Sequence, residues 1–365
     1  MRHRFKGSRV QSSLVVIVCS LIVGCVPVYK MEKIGIGKEE PVVRVLIGER
    51  SEVNLAGNNL CIQNSSYRVR DAKFSVNGIW IGDKSIENPE WPIEIKSSDG
   101  IIKVTEKSYR GSIIVYKLPN KYIVINKVNM EDYLKGVVPC ELRTPDVEAL
   151  KAQAVACRSY ALARVRIANK ETNYDVKSTV ADQVYGGIES ETELTTLAIK
   201  ETRGIVCTYN SEVINAQYHS TCGGKTCSGG KPYLTSQVCH FCESSPQYRW
   251  EQEYDCSDIS TKIGEHVRGL EISERDGSGR VKSVKVLSET GNQIMSGEDL
   301  RNKIGLKSRF FDIQLIGERI KIIGRGYGHG IGLCQFGAMG MARKGHNYKS
   351  ILKYYYKGIE VERIY

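Results

Sequence analysis

The sequence predicts an α+β protein: a β-rich N-terminal portion, then a mixed helix and strand portion that carries a cysteine-bearing loop. Three observations lead there. From residue 42 to about residue 128, runs such as VVRVLI, YRVRDAKFSV, SIIVYKL and KYIVINKV are rich in Val, Ile and Tyr. Gly, Asn, Asp and Pro separate them, as turns separate strands. Past Met130 the pattern changes, and over residues 145–169 Leu150, Ala154, Cys157, Ala161 and Val165 recur at three- and four-residue steps. That is the period of a helix with one buried face. Between Cys222 and Trp250 the chain is loop-like and holds four cysteines.

The 365 residues, 41% hydrophobic and 25% charged, suffice for one large or two ordinary domains. At the N-terminus, Arg2, Arg4, Lys6 and Arg9 precede an apolar run over 14–23 that ends at Gly24-Cys25. A run this short suits a signal peptide better than a membrane span. Its ending resembles a bacterial lipobox, with Cys25 receiving lipid. The expected division is therefore a signal peptide over 1–24, a tether over 25–40, a β-rich portion over 41–127 and the main body over 128–365. The expected location is the cell envelope, as an exported, membrane-anchored lipoprotein. Net charge is +11, with no Lys/Arg-rich run beyond the leader. For an exported chain this favours anionic wall polymer over nucleic acid, or simply a mixed solvated surface.

Later elements follow the same logic. Thr144 suits the cap of the 145–169 helix, Pro145 its first position, and Asp146 and Glu148 its positive end. A second helix is expected over 191–201. Strands are expected near 281–287 and 311–323, and short helices near 335–344 and 348–356. Gly324, Gly326, Gly328, Gly330 and Gly332 alternate, without the GK[ST] of a phosphate loop or the βαβ context of a dinucleotide site. Such glycines allow either a ligand or a second backbone to approach closely. Tyr327, His329 and Gln335 are candidates to face a ligand there.

The segment VNMEDYLKGVVPCELRTPDVEALKAQAVACRSYALA (128–163) resembles the signature of the sporulation stage II D / LytB family of cell-wall proteins. YHSTCGGKT, PYL, GRGYGHGIGLCQFGAMGMARKG and ILKYYYKG extend the resemblance in order through most of the chain. The resemblance implies a peptidoglycan lytic transglycosylase that cuts the glycan backbone of peptide-stripped strands to 1,6-anhydro products. The LytB branch implies instead a glycan-binding enhancer of a cell-wall amidase. Sporulation or cell division is the implied setting. The signature's second glutamate, implied to be catalytic, is Glu141. Leu142-Arg143 stands where the family has Met-Pro. One glutamate can protonate the glycosidic oxygen and then accept the proton of the attacking C6 hydroxyl, with no cofactor. It then needs a raised pKa, which the apolar neighbours Val137, Val138, Pro139 and Leu142 favour and a following helix N-terminus opposes.

Substrate contacts are expected from Arg158, Lys151, Gln153, His219 and Ser220. Arg158 lies roughly 20 Å along its helix from the start, too far to touch Glu141 through the helix alone. It can equally brace the fold. Glu131 is expected to order the loop that opens the motif. Cys222, Cys227, Cys239 and Cys242 form two close pairs around a loop. They fit either a structural zinc site or two disulfides, with His219 or His240 as an alternative ligand. The family's own His/Cys metal site is not transferable, because YDVKSTVADQVY (174–185) has neither residue. Cys140 adjoins Glu141, but no matching histidine makes it a nucleophile.

Overall fold

Alternating burial makes the first third a sheet. In the computed structural model, which describes residues 39–62, 68–75, 77–167, 172–289 and 291–365, Val43, Val45, Val53 and Val115 are wholly buried while their neighbours along each strand are exposed or partly so. This is the period of two expected of a sheet with one face on a core. The result is an eleven-stranded sheet. Its order runs Val176–Lys177, Val42–Arg50, Tyr122–Asn129, Ser112–Lys117, Ile93–Lys96, Val53–Ile62, Arg68–Ser75, Gly78–Ile81 and Lys84–Ile86, with a hairpin of Ile101–Val104 and Lys107–Arg110 against Val53–Ile62. The strand Val176–Lys177 joins from beyond the first two helices, parallel to Val42–Arg50. The α+β expectation holds.

Tyr122–Asn129 runs without a loop into helix α1 (Met130–Glu141). The sequence predicts a loop at this stretch, and the structure has a helix. Its helical signal is nevertheless present: Met130, Tyr133, Leu134, Val137 and Val138 are fully buried, one stripe at three- and four-residue steps. Gly136 and Pro139 obscured it. A Cβ at Gly136 would sit 2.5 Å from the Tyr185 ring, so glycine lets that ring pack on the helix. Pro139 lies inside the helix, two residues from its end, and has no N–H to give to the Lys135 carbonyl one turn back.

Helix α2 (Val147–Ile167) starts two residues later than expected. The Asp146 carbonyl accepts from Ala149 and Leu150, and Thr144 bonds the Asp146 carboxylate at 2.8 Å rather than a helix amide. The single buried face was also too modest an expectation. Every residue from Ala152 to Ala163 is buried, so α2 is the central helix of the body. Its run of small side chains lets α1, α3 (Glu193–Glu201), α6 (Gln335–Arg343) and α7 (Tyr348–Tyr355) approach together. The last three agree with the expected helices to within two residues. Thr192 caps α3 by accepting from the Thr195 amide at 3.3 Å.

One large core runs from Val43 to Ile364 and joins the sheet to these helices. A second core lies wholly between Trp250 and Ile322, made by Val267, Leu270, Val284, Leu300, Phe311 and Ile320 among others. It belongs to a lobe of two three-stranded sheets with α4 (Cys256–Ile263) and α5 (Gly297–Ile304). The strand expectations near 281–287 and 311–323 fall in this lobe. Its helices and separate core were not foreseen, although Ser296 caps α5 through the Asp299 amide and Gly264 and Gly305 end the two helices with positive φ. No helix among the described residues is long and apolar enough to cross a membrane. The leader and Cys25 lie outside the described residues.

Candidate active site

Glu141 is the last residue of α1 and opens onto a cleft of about 640 Å³. Tyr160 and Arg164 of α2, Asp182 and Val184 of the following loop, Tyr218, His219 and Ser220, and Tyr327, His329 and Gln335 line it. The second lobe contributes Glu298 and Arg301 of α5. Residues far apart in sequence meet because the strand Tyr218–His219 pairs in parallel with Leu333–Cys334, at the foot of α6. Gln335 begins α6, and its Nε2 donates to the Glu141 carbonyl at 3.0 Å and more weakly to Gln153 Oε1 at 3.4 Å.

The electrostatics single out Glu141. Burial pushes its carboxyl above the ordinary value, while the Val184 amide, donating to Oε1 at 2.7 Å, and the Tyr218 hydroxyl pull it back only in part. Its place at a helix C-terminus acts in the same direction as burial, since the negative end of the dipole disfavours an anion. The expectation that Glu141 faces a positive helix end is thereby reversed, because α1 ends at the residue itself. The other cleft carboxylates are held by cations. Asp182 accepts from Tyr160 at 2.7 Å and lies 3.4 Å from Arg164, and Glu298 pairs with Arg301 at 2.8 Å and Arg309 at 3.1 Å. Among the described residues Glu141 has no ion pair.

Tyr218 was missed in the sequence, although it opens the YHSTCGGKT motif. It is partly buried, and its hydroxyl accepts from Gln183 Nε2 at 3.1 Å, which leaves its proton for the Glu141 carboxylate. Gln183 is itself fixed by the Tyr133 hydroxyl at 3.1 Å. Arg164, Asp182, Tyr160, Glu298 and Arg301 were also missed. The two from α5 left no local signal, since the second lobe brings them in.

The two cleft histidines are each fixed by backbone groups. His329 Nδ1 accepts from the Ile331 amide at 3.0 Å and its Nε2 donates to the Tyr218 carbonyl at 2.9 Å. His219 Nδ1 donates to the Ile331 carbonyl at 3.0 Å, and its buried Nε2 has no partner among the described residues. Burial lowers the pKa of both. The His219 Nε2 is thus a buried atom without a partner at the wall of the cleft.

Of the expected substrate contacts, His219, Ser220, Tyr327, His329 and Gln335 lie around Glu141 in the cleft. Arg158, Lys151 and Gln153 are placed elsewhere. Arg158 is wholly buried, forks onto Glu131 at 2.9 and 2.7 Å, and donates to the Ile205 carbonyl at 2.9 Å. It is a brace, and its partner Glu131 sits in the first turn of α1 rather than in a loop. Lys151 bridges Glu148 and Glu201, and Gln153 reaches the site only through Gln335. The alternating glycines face protein. Gly332 has φ +71, and a Cβ there would meet the Gln217 carbonyl at 2.0 Å; Gly326 has φ +76, and a Cβ would meet the Thr221 carbonyl at 2.5 Å. Two backbones pack there, with Tyr327 half exposed between them.

The cysteine quartet is corrected by one member. Cys222, Cys239, Cys242 and Cys334 are buried with all four sulfurs within 4.8 Å of one another, and could bind a metal such as zinc. None is in a disulfide. Cys227 lies apart, its sulfur 3.5 Å from Asp276. The parallel pairing of His219 with Cys334 brings the distant cysteine to the loop, while Cys227 is turned away as its amide bonds the Gly330 carbonyl at 2.7 Å.

Comparison with known proteins identifies the family. Residues 119–209 match the family described as stage II sporulation protein, and residues 232–332, which include the second lobe, match a domain of unknown function. An uncharacterized protein of Brachyspira hyodysenteriae is 33% identical over 270 residues, which cover 69% of this chain and 72% of that protein. The stage II sporulation protein D of Bacillus subtilis is 32% identical over 289 residues, 70% of this chain and 80% of that protein. A Bacillus subtilis protein named amidase enhancer is 30% identical over 289 residues, 62% of this chain but 39% of that longer protein. The chain belongs to the stage II sporulation protein D family.

Proposed function

We propose, from this family membership and the state of Glu141, that the protein is a peptidoglycan lytic transglycosylase. The observation that carries the reading is a single cleft carboxyl with raised proton affinity and no cation beside it. Hydrolytic glycosidases generally need two working carboxylates. Here the other two in the cleft are tied up in ion pairs. One carboxyl suffices if the nucleophile belongs to the substrate. Protonated Glu141 gives its proton to the glycosidic oxygen as the bond from that oxygen to C1 breaks. The carboxylate then takes the proton of the sugar's C6 hydroxyl as its oxygen bonds C1. Glu141 ends protonated, no water is consumed, and the product is a 1,6-anhydro sugar.

The Val184 amide and Tyr218 hydroxyl stabilise the carboxylate formed midway, and Gln335 holds the end of α1 in place. Ser220 and Tyr327, which line the cleft, are positioned to take sugar hydroxyls. A glycan strand requires a location outside the cytoplasm, so the exported, Cys25-lipidated form is part of the proposal. A Cys25→Ser chain that still fractionates with membranes would remove that part.

The similarity to a protein named amidase enhancer supports a second reading, in which the same cleft holds glycan without cutting it. The two separate in one experiment. Wild type and Glu141→Gln are incubated with peptide-free glycan strands and the products weighed by mass spectrometry. Release of 1,6-anhydro ends by wild type alone supports the transglycosylase. Glycan bound but uncut by both selects the enhancer.

A further inference from the structure

We propose that Cys222, Cys239, Cys242 and Cys334 bind one zinc ion as a structural four-thiolate centre that fastens the start of α6. Sulfurs about 2.3 Å from a central zinc stand about 3.8 Å from one another. The four sulfurs here all lie within 4.8 Å of each other, with Cys222 and Cys242 at 3.4 Å. That separation is well beyond a sulfur–sulfur bond of about 2.05 Å. All four side chains are buried. The chemistry of the set is soft and oxygen-free, which favours zinc or iron over magnesium or calcium.

Hydrogen-bond donors surround the sulfurs. Cys334 Sγ accepts from the Cys222 amide at 3.2 Å and the Gly337 amide at 3.4 Å. The Tyr355 hydroxyl lies 3.2 Å from Cys239 Sγ. Four thiolates around a divalent ion keep a net negative charge in a buried place, and N–H and O–H donors aimed at the sulfurs are what such a charge needs. Gly337 is glycine for the same reason of proximity, since a Cβ there would stand 1.9 Å from the Tyr355 hydroxyl and 3.0 Å from Cys239 Sγ.

The loop that supplies three of the ligands has little regular structure from Cys222 to Tyr248. A metal supplies the cohesion that short loops cannot bury enough surface to provide. Four protein ligands leave no open position, so the ion is structural. Its effect on the cleft is indirect. Cys334 directly precedes Gln335, the residue that reaches the Glu141 carbonyl. The proposal does not depend on whether the cleft cuts glycan.

The test is metal content of the purified full chain by mass spectrometry, with cobalt exchange as a second readout. The expected result is about one zinc per chain, and tetrahedral cobalt–thiolate absorption after exchange. Cys227→Ser keeps the metal, and Cys334→Ser reduces it to less than about a tenth. Metal-free wild type with these cysteines joined in disulfides overturns the proposal. So does iron in place of zinc, or loss of metal in Cys227→Ser with retention in Cys334→Ser. If Cys334→Ser does not fold, wild type and Cys227→Ser decide the matter: cobalt–thiolate bands in both support the site, and their absence in either overturns it.

Discussion

Helix α1 carries a glutamate near each end, and the two are in opposite states. Glu131, in the first turn, meets the Arg158 guanidinium in a fork, the Tyr365 hydroxyl at 2.6 Å and the Gly204 amide at 3.2 Å. Burial pushes its carboxyl up, but Arg158 and these donors together hold it below the ordinary value. Glu141, in the last turn, is also withdrawn from water, yet it has one amide and one hydroxyl and no cation, and its carboxyl stays above the ordinary value. Burial alone therefore does not set the proton affinity of a carboxyl; the charge of its partner does. About 15 Å of helix separates a group that ties α1 to α2 and the chain's end from a group suited to give and take a proton.

Four measurements sharpen or break that contrast. The largest effect is expected from Glu141→Gln. Loss of the acid/base group should lower glycan cleavage by roughly 10²- to 10⁴-fold with folding intact, read from the rate of anhydro-product release. Retained cleavage would move the chemistry to another residue. Next comes Glu131→Gln, which leaves Arg158 buried without its counter-ion. It should cost roughly 3–5 kcal/mol of stability in urea unfolding. A loss below about 1 kcal/mol would mean the fork braces nothing.

The third test is pH. In the proposed mechanism cleavage needs protonated Glu141, so its rate should fall as pH rises through a pKa above the ordinary carboxylate value. Stability should respond to the two glutamates with opposite sign. The Glu131 contribution is present above its unfolded-state pKa and is lost as pH falls through its depressed folded value. Glu141 instead costs stability as pH rises from the ordinary value through its raised one. Urea midpoints of wild type, Glu131→Gln and Glu141→Gln across acid pH resolve the two slopes, and slopes of the same sign would break the contrast. The smallest effect is expected from Gln335→Ala. Loss of one bond to the Glu141 carbonyl should cost about 1 kcal/mol, seen as a several-fold drop in the cleavage rate.

The α1 contrast also marks how far the sequence could be read. Glu141 was reachable because its motif is local and unusual. Its environment was not, since reading 130–141 as a loop placed the residue before a helix instead of at the end of one. The stripe Met130, Tyr133, Leu134, Val137 and Val138 was there to be counted, with Gly136 and Pro139 masking it. Arg158 shows a different limit. A conspicuous arginine on a helix of small residues has the same local pattern whether it faces a groove or a buried carboxylate. The Cys227 and Cys334 exchange shows it again: spacing along the chain favoured the near cysteine, and a strand pairing more than a hundred residues long-range chose the far one.

By itself the sequence determined the β-rich start, the helices α2, α3, α6 and α7, the family, and the leading catalytic candidate. These are properties carried by local hydrophobic period, capping chemistry and contiguous motifs. Tertiary structure decided which side chains share the cleft, which carboxyls meet a cation, which four cysteines converge, and that residues between Trp250 and Ile322 form a core of their own. The physical reason is the same in each case. Proton affinity and metal-binding geometry depend on distances across space, and strand pairing and helix packing set those distances between segments far apart along the chain.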